Sequence, residues 1–466
     1  MGLKKLRKHD TKMLRIILAL AWPTMLEQLM QTAVQYVDTA MVGTLGTQAT
    51  AAVGATSEIN WLITSSISAL GVGFLAYISQ AFGADDREKA GRAVAQASLV
   101  TILVGALFTL MTVFLSPYIP IWMQVDPEIQ YITEQYFFIM YFPMIPRAAI
   151  LMFGTVLRSV GDSKSPMRIG FIMNVINIIL NFILIYPTRT VSFFGNEFKI
   201  YGVGLGVNGA ALASATAFTI GRILITYALW IHPLASPRGY SLKPDWEILK
   251  PCLKVAVPNM LQRFATSLGY VTFAAMINST GGVSTATHAI ANTVESAFYI
   301  PGYGMQMAAA TLAGNAYGAK DNVKLKKTAK LFIPVEIILM MISGGLLFAF
   351  APPLVSIFSK SDEVIELGST VLRMVALSEP FYGFSIIIEG LMQGLGKTKT
   401  PFIYNLIGMW GVRMIGTAIC TQLLGMGLIS AWACMIGHNL MLFVLFLITY
   451  ITGYWNPMHE RKHKVK

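Results

Sequence analysis

The chain has 466 residues, of which 55% are hydrophobic and only 12% are charged. This composition leaves too little polar surface to cover a water-soluble protein of this size, so it predicts an integral membrane protein. The net charge of +12 resides in short loops and tails instead of along one domain face, which argues against a nucleic-acid partner. The three cysteines predict neither a disulfide framework nor a metal site.

Apolar windows of about 20 residues recur along the chain, for example around residues 16–26, 332–351 and 441–451. An α-helix needs this length to cross a hydrocarbon core of about 30 Å. The windows do not alternate between apolar and polar residues as the strands of a membrane barrel do. We expect an all-α integral membrane protein with about twelve transmembrane helices and no removable signal peptide.

Basic residues occur in alternate connections between the apolar windows. With twelve spans, all seven basic segments fall on one side: the N-terminal tail, 87–92, 158–168, 238–254, 320–330, 397–399 and 461–466. Short cytoplasmic loops are enriched in Lys and Arg. The pattern therefore predicts a multi-pass protein of the cell membrane with both termini in the cytoplasm.

The two halves of the chain resemble each other when one is shifted by 235 positions. Matching pairs are Pro23 and Pro258, Gly46 and Gly281, Gly83 and Gly318, Gly161 and Gly396, and Pro166 and Pro401. Since six spans precede the repeat, both halves begin on the same side, which predicts two six-helix lobes related by an axis along the membrane normal. The predicted divisions are a tail (1–12), an N-lobe (13–232), a linker (233–251), a C-lobe (252–452) and a second tail (453–466).

The first predicted helix carries three polar residues on one stripe. Glu27, Gln31 and Asp38 follow at steps of four and seven, which place them on one helical face. Ionisable groups inside a membrane are costly and mark bundle interfaces or transport paths. We expect Asp38 to bind a proton or a sodium ion; the alternative is a hydrogen bond to a neighbouring helix.

The fifth predicted helix carries a stripe of three asparagines. Asn174, Asn177 and Asn181 recur at steps of three and four. Their carboxamide oxygens suit coordination of a cation such as Na⁺ beside Asp38. The alternative is that they hold neighbouring helices together by hydrogen bonds.

In the second half, the eighth predicted helix carries His288, Asn292 and Glu295 at steps of four and three. This stripe predicts a second coupling site or a cargo-binding site, with Glu295 as its titrating group. The alternative is a structural ion pair between Glu295 and either Arg263 or Arg413.

The tenth predicted helix adds Tyr382 and Glu389 on one face, as a further candidate. Glycine-rich fragments such as residues 202–206 lack the strand and lysine of a phosphate-binding loop, so no nucleotide site is expected. No catalytic constellation is present in the sequence. We therefore expect a non-enzyme without an organic cofactor.

Several motifs resemble those of one transporter family. They are Ala-Trp-Pro at 21–23, Gln-Thr at 31–32, Val-Asp-Thr-Ala-Met-Val-Gly at 37–43, Gln-Ala-Phe-Gly-Ala at 80–84, Gly-Asp-Ser-Lys-Ser-Pro at 161–166, Gly-Ala-Ala-Leu-Ala-Ser at 209–214 and Gly-Asn-Ala-Tyr-Gly-Ala at 314–319. Over about residues 13–450 the chain resembles the multidrug and toxic compound extrusion (MATE) transporters. The resemblance implies two six-helix lobes and export of cationic or amphipathic drugs and toxic metabolites in exchange for Na⁺ or H⁺.

The resemblance also implies roles for individual residues. Asp38 matches the coupling aspartate of the family, and Asn177, Asn181 and Ser214 fall on its sodium-site positions. DinF-like members carry aspartate where Asn181 stands. The acidic positions of NorM-like members fall here on Thr266 and Tyr382. Glu295, in the segment 292–296 ahead of Pro301, resembles a glutamate of many other bacterial members, which implies that it is the leading candidate in the second half.

Two alternatives remain open at this point. A flippase for lipid-linked precursors has the same two-lobe plan, but it would need a strongly basic cavity, and the available arginines are scattered. A receptor or scaffold would need neither the intramembrane carboxylates nor the repeat. The sequence leaves the cargo, the coupling ion and the oligomeric state open.

Overall fold

A computed structural model describes the chain over residues 2–123, 125–193 and 196–460. The basic tail at 461–466 lies outside these residues. In the first half, the elements are α1 Gly2–Gly43, α2 Thr47–Gly83, α3 Arg87–Leu115, α4 Ile119–Trp122, α5 Gln130–Tyr141, α6 Met144–Ser159, α7 Lys164–Leu184, β1 Pro187–Phe193, β2 Asn196–Val203 and α8 Val207–Ile231.

The second half begins with α9. Its elements are α9 Trp246–Asn278, α10 Gly282–Gly318, α11 Asn322–Ser356, α12 Asp362–Ala376, α13 Glu379–Gly394, α14 Lys399–Leu406, a π-helical stretch Ile407–Met414, α15 Ile415–Ala418, a second π-helical stretch Ile419–Leu423, α16 Leu428–Ile451 and α17 Pro457–Glu460. From α14 to the second π-helical stretch these segments form one continuous helix over Lys399–Leu423.

Within the described residues, eight helices are long and apolar enough to cross a membrane: α1, α2, α3, α7, α8, α11, the continuous helix from α14, and α16. Two helix pairs, α5 with α6 and α12 with α13, bend by 49° and 50° at a short break and raise the number to ten. Helices α9 and α10, of 33 and 37 residues, also have the length to cross, although no window in them is both as apolar and as poor in charges as in the other eight. The predicted fold with twelve spans is confirmed.

The internal repeat is visible in the backbone. Helix α10 begins and ends 235 positions after α2, and α13 does the same after α6. Gly46 and Gly281 precede the first pair, with φ of 112° and 122°, a region that L-residues with a Cβ avoid. Asp85 and Lys320 follow it with φ of 57° and 53°. The same turns therefore begin and end the corresponding helices of both halves.

A two-stranded antiparallel sheet interrupts the helical fold. Strands β1 and β2 pair Pro187 with Val203 and Arg189 with Ile200, with an irregularity between these pairs. This hairpin occupies the predicted connection between the fifth and sixth spans. In the second half, the corresponding connection is only the short segment 424–427 between Leu423 and Leu428. The hairpin is an addition to the predicted all-helical architecture.

The chain forms two compact units, and both contain residues from distant parts of the sequence. Unit 1 comprises Met1–Met25, Val72–Ala90 and Lys250–Lys466, and unit 2 comprises Leu26–Gly71 and Gly91–Leu249. The starts of α1 and α3 and the end of α2 thus belong with the second half of the chain. The lobe boundaries at 13–232 and 252–452 stay a prediction about the duplicated sequence.

In unit 1, α2 and α10 cross closely at their C-terminal ends. A Cβ at Gly83 would lie 2.0 Å from the backbone oxygen of Asn315, and a Cβ at Gly318 would lie 1.8 Å from that of Gln80. Asn315 is the repeat partner of Gln80, so one contact occurs twice. Glycine is required at both positions because any side chain would overlap a backbone atom of the other helix.

In unit 2, the predicted linker is held against α3. Arg92 pairs with Asp245 at 2.5 Å. The Gln96 amide donates to the backbone oxygen of Lys243 at 2.8 Å and accepts from the backbone N–H of Asp245 at 3.0 Å. The ring of Tyr240 covers Gly91, where a Cβ would lie 2.2 Å away. These contacts give the segment between the halves a defined path.

Candidate functional site

Four polar residues of unit 2 form a continuous hydrogen-bonded chain. The amide of Asn181 on α7 donates to Asp38 Oδ1 on α1 at 2.5 Å, and to Asn177 Oδ1 at 3.2 Å. The amide of Asn177 donates in turn to Ser214 Oγ on α8 at 2.9 Å. The structure thus brings together the residues that the sequence places on three separate helices. We call this chain the Asp38 network.

The Asp38 network runs from a half-buried carboxylate into the interior of unit 2. Asp38 is partly exposed, whereas Asn177 and Ser214 are buried and Asn181 is 0% exposed. Each amide group donates toward the carboxylate or toward the next side chain, so the chain stabilises negative charge at Asp38. The buried phenol of Tyr136 on α5 also lies within electrostatic reach of Asp38.

The oxygen atoms of the network suit a hard monovalent cation as well as a proton. Asn181 Oδ1 is buried and has no hydrogen-bond partner within the described part of the chain. With Asp38, Asn177 Oδ1 and Ser214 Oγ it supplies a carboxylate, two amide oxygens and a hydroxyl, and oxygen is the donor that hard cations prefer. Asp38, Asn177 and Asn181 could therefore hold Na⁺, and Asp38 alone a proton.

The other polar residues of the first two stripes lie apart from the network. Glu27 accepts from Arg158 Nη1 on α6 at 2.9 Å, and both side chains are largely buried. Gln31 is half-buried on α1. Asn174 is buried, and its amide nitrogen has no partner among the residues described. The stripe on α1 thus divides into an ion pair at Glu27 and a network at Asp38.

In unit 1, the predicted stripe on α10 divides in a similar way. Glu295 is 8% exposed and lies within electrostatic reach of Arg413, whose guanidinium sits 4.0 Å from the ring centroid of Phe273. His288 is half-buried, with its ring edge-on to Phe273 and to Trp432. Asn292 is exposed. Of the two arginines considered for Glu295, Arg413 is the one near it.

Glu389 on α13 is hydrogen-bonded to three amide side chains. It accepts from Gln262 at 2.9 Å, from Gln393 at 3.1 Å and from Asn405 at 3.3 Å. Arg263, the second arginine considered for Glu295, instead acts on Glu389 and donates to Asn259 Oδ1 at 3.2 Å. Both carboxylate oxygens of Glu389 are therefore hydrogen-bonded.

Tyr382 belongs to a cluster of three tyrosines. Its hydroxyl lies 3.5 Å from that of Tyr303, and its ring is 6.3 Å from that of Tyr299. The rings of Tyr299 and Tyr303 are edge-on at 5.7 Å. Aromatic faces and phenol oxygens of this kind can contact a cationic or amphipathic molecule.

Sequence reasoning missed two buried carboxylates of unit 1. Glu336 on α11 is 0% exposed and Glu379 at the start of α13 is 2% exposed. Glu336 belongs to no polar stripe on α11, so helical spacing gave no signal for it, whereas Glu379 lies three residues before Tyr382 on α13 and was overlooked. A comparison of the two repeats would have singled them out, because the equivalent positions 235 residues earlier hold Thr101 and Met144, which are not acidic.

A cavity of ≈ 470 Å³ in unit 1 lies beside the crossing of α2 and α10. Among its lining residues are Gln80, Lys89, Tyr317, Lys320 and Met458. Lys89 also sits 5.4 Å from the ring centroid of Tyr77. The cavity lining includes none of the residues predicted for ion coupling or cargo, so it is separate from the Asp38 network.

The MatE family model matches the chain twice, over residues 23–183 and 258–419. The two matches begin 235 positions apart, which confirms the internal repeat. Together they cover more than half of the chain.

Curated relatives match along nearly the full length. A protein of Thermotoga maritima named probable multidrug resistance protein NorM is 27% identical over 94% of this chain and 92% of its own. The Bacillus subtilis protein named probable multidrug resistance protein YoeA is 25% identical over 94% and 93%. Mouse multidrug and toxin extrusion protein 1 is 25% identical over 90% and 72%.

Solved structures share the fold. A MATE protein crystallised in complex with MaL6 superposes with a TM-score of 0.86 at 22% identity, covering 96% of this chain and 97% of that one. A transporter of the MOP superfamily from Pyrococcus furiosus superposes with a TM-score of 0.85 at 22% identity, covering 94% and 95%. With its family matches, its repeat and its twelve membrane-spanning elements, the chain belongs to the MatE family of multidrug and toxic compound extrusion transporters.

Proposed function

We propose that this protein exports cationic or amphipathic drugs and toxic metabolites in exchange for inward-moving Na⁺ or H⁺. The observation that carries the proposal is the Asp38 network, in which one intramembrane carboxylate is bonded through Asn181 and Asn177 to Ser214. The names of the relatives support drug export as the activity. We further propose that the protein lies in the cell membrane with both termini in the cytoplasm, and that it is not an enzyme.

The geometry supports a coupling role for Asp38 for a simple reason. When Asp38 is ionised, it accepts the Asn181 amide and the network is ordered as observed. When Asp38 takes a proton or a sodium ion, its negative charge is neutralised and the hydrogen bond from the Asn181 amide weakens, because a charged acceptor binds a donor more strongly than a neutral one. The two states thus differ in how strongly α1 is held to α7. If a conformational change of the protein alters this contact, ion binding at Asp38 and the conformational change affect each other by the same free energy.

A lipid flippase is a weaker alternative in view of the observed arginines. Arg147 is buried in unit 2, with its guanidinium bonded to Asn60 and Thr64. Arg413 is buried over Phe273 in unit 1, and Arg263 donates to Asn259. Since each is engaged inside its own unit, these side chains do not provide the exposed guanidinium groups that bind phosphates.

Dye efflux from liposomes tests the proposed antiport. Purified protein is reconstituted with a fluorescent organic cation, and an inward sodium gradient or an inward proton gradient is imposed separately. We expect one gradient to drive efflux, and Asp38→Asn to abolish it because the variant keeps the shape but cannot titrate. The matched control is Asp85→Asn, an exposed carboxylate in the left-handed region that Asn tolerates.

Two results would contradict the proposal. Gradient-driven efflux by Asp38→Asn at the rate of the unaltered protein would remove Asp38 from coupling. Absence of dye movement under both gradients, in protein that still binds the dye, would remove the antiport mechanism itself.

A further inference from the structure

Three carboxylates lie close to one another inside unit 1. Glu295 on α10 is 8% exposed, Glu336 on α11 is 0% exposed and Glu379 on α13 is 2% exposed. These three helices pack against one another. Glu379 lies within electrostatic reach of both Glu295 and Glu336.

The space around Glu336 is formed by two glycines on the neighbouring helices. A Cβ at Gly302 on α10 would lie 2.8 Å from Glu336 Oε1, and a Cβ at Gly383 on α13 would lie 3.2 Å from its Cγ. The contacts around these glycines otherwise come from Met340 and Ile386, which are apolar. Both helices thus leave room for this one side chain.

The buried carboxyl oxygens lack hydrogen-bond donors. Both oxygens of Glu336 and one oxygen of Glu379 are buried without a partner within the described residues. By contrast, Glu389 on the same helix as Glu379 accepts from three amides. An ionised carboxylate needs such donors when it is removed from water. The environment of Glu336 suits a neutral carboxylic acid.

The internal repeat shows that the shared fold does not require these carboxylates. The positions 235 residues earlier hold Asn60, Thr101 and Met144 instead of Glu295, Glu336 and Glu379. The corresponding region of the first half is therefore free of carboxylates at these positions, although it builds the same helices. The acidic residues are a specific property of the second half.

The charged groups that face Glu336 and Glu379 do not balance. Glu379 lies within electrostatic reach of Glu295 and Glu336, and Tyr299 on α10 lies within reach of Glu295 and Glu379. Arg413 acts on Glu295 and lies in a cage of Tyr270 and Phe273. One arginine can balance one of the three carboxyls, so the other two would have no counter-charge if they were ionised.

Protons fit this site better than metal ions do. No group of three or more His, Cys, Asp or Glu side chains converges on a common point in the described part of the chain. Apart from Glu336 itself, the atoms closest to Gly302 and Gly383 belong to the apolar side chains of Met340 and Ile386, whereas a sodium ion needs several oxygen ligands. A proton needs only one carboxyl oxygen.

We propose that Glu336 and Glu379 form a proton-holding pair in the second half of the chain, separate from the Asp38 network. In this structure both carboxyls are neutral acids, and each releases its proton only when water or a donor reaches it. A role for the pair in coupled export rests on the proposed function, because it would make the pair a second coupling site. The protonation of the two residues does not depend on that role.

Labelling with dicyclohexylcarbodiimide tests the pair without a transport measurement. This hydrophobic reagent reacts with protonated carboxyls inside membranes, and mass spectrometry of the digested protein locates the modified residues. We expect modification of Glu336 and Glu379 that falls about tenfold for each pH unit once the carboxyl is ionised. Added Na⁺ at constant pH leaves the modification unchanged. Glu389, with its three amide donors, is the internal control and stays unmodified.

Two variants separate the site from the fold. Glu336→Gln keeps the shape, and Glu336→Thr copies the residue that the repeat places at Thr101. Both should lose the label at position 336 and keep the rest of the pattern. Absence of modification at both Glu336 and Glu379 at every pH would overturn the proposal. Protection of these residues by Na⁺ at constant pH would also overturn it, in favour of a sodium site.

The labelling result and the proposed function can fail independently. Modification of Glu336 in the Asp38→Asn protein, which is expected to be inactive in dye efflux, supports the proton-holding pair whatever the transport result. If efflux is lost in Asp38→Asn and Glu336 is not modified, the proposed antiport is supported and the proposed proton-holding pair is contradicted.

Discussion

Single buried charges show how this molecule uses its intramembrane polar residues. Glu27 and Arg158 are joined at 2.9 Å, and their side chains are 10% and 13% exposed. The pair ties α1 to α6 within unit 2, and it needs both partners because an unpaired ion at this depth would be costly.

We expect Arg158→Ala to destabilise the protein through the carboxylate that it leaves unpaired. Breaking a buried ion pair costs about 3 kcal/mol or more, so the apparent melting temperature in detergent should fall clearly. The double variant Glu27→Gln with Arg158→Gln should recover most of the loss, since no net charge is left buried. Equal destabilisation by the single and double variants would show that the charge of Glu27 is not the cause.

Helical spacing pointed to Asp38, Asn177 and Asn181 of the Asp38 network, whereas Ser214 was named only from the family resemblance. Asn177 and Asn181 lie one turn apart and face α1 and α8, so the period of the helix was enough to find them. Asn174 lies on the same stripe but outside the network. Glu336 stands alone on α11, and the burial of both Glu336 and Glu379 arises from packing between helices, which no single-helix pattern reports. The roles of all these residues stay predictions.

At the level of helices, the crossing of α2 and α10 sets how closely two spans approach. Gly83 and Gly318 each face a backbone oxygen of the other helix, and Gly314 faces Ser79 in the same crossing. These contacts close one end of unit 1 by backbone packing. On the predicted topology, this end faces the cytoplasm.

We expect Gly83→Ala to open this crossing. The added methyl group would overlap the Asn315 oxygen, and overpacking of this kind typically costs about 1–3 kcal/mol unless the helices move apart. Ser79 is buried in the crossing. The thiol of a Ser79→Cys variant should therefore react faster with a maleimide when Gly83→Ala is also present. The matched control is Gly345→Ala on α11, where a Cβ meets nothing within 4 Å.

An unchanged labelling rate for Ser79→Cys would show that the crossing absorbs a methyl group without opening. The same chain without Ser79→Cys sets the background from the native cysteines, of which Cys252 is buried.

The spans were more predictable than the breaks inside them. Apolar windows located the helices because length and hydropathy are properties of local sequence. The 49° and 50° bends and the two π-helical stretches were not predicted, since they depend on contacts with neighbouring helices. The β-hairpin was assigned only as a connection, because its polar residues carry no strong strand pattern.

At the level of the whole molecule, the two compact units do not coincide with the two halves of the sequence. Unit 1 draws residues 1–25 and 72–90 from the first half and joins them with the entire second half. The crossing of α2 with α10 is one of the contacts that joins them. The linker at 233–251 is therefore not the principal connection between the two halves of the sequence.

We expect the two halves to stay together after the linker is cut. A protease site inserted at Gly239, an exposed position with φ of 82° and open space around it, should be cleaved without loss of the fold. The two fragments should then co-purify in mild detergent, because the packing inside unit 1 still joins them. Separation of the fragments on a size-exclusion column would show that the linker is essential for association.

The hairpin of β1 and β2 is the main place where the duplicated halves differ in length, since the equivalent connection in the second half is only the short segment 424–427. On the predicted topology, it projects on the side opposite the basic loops. An antibody fragment raised against it would bind only those vesicles in which this side faces outward. It would therefore report the orientation of the reconstituted protein in each vesicle, so that flux could be assigned to one direction across the bilayer.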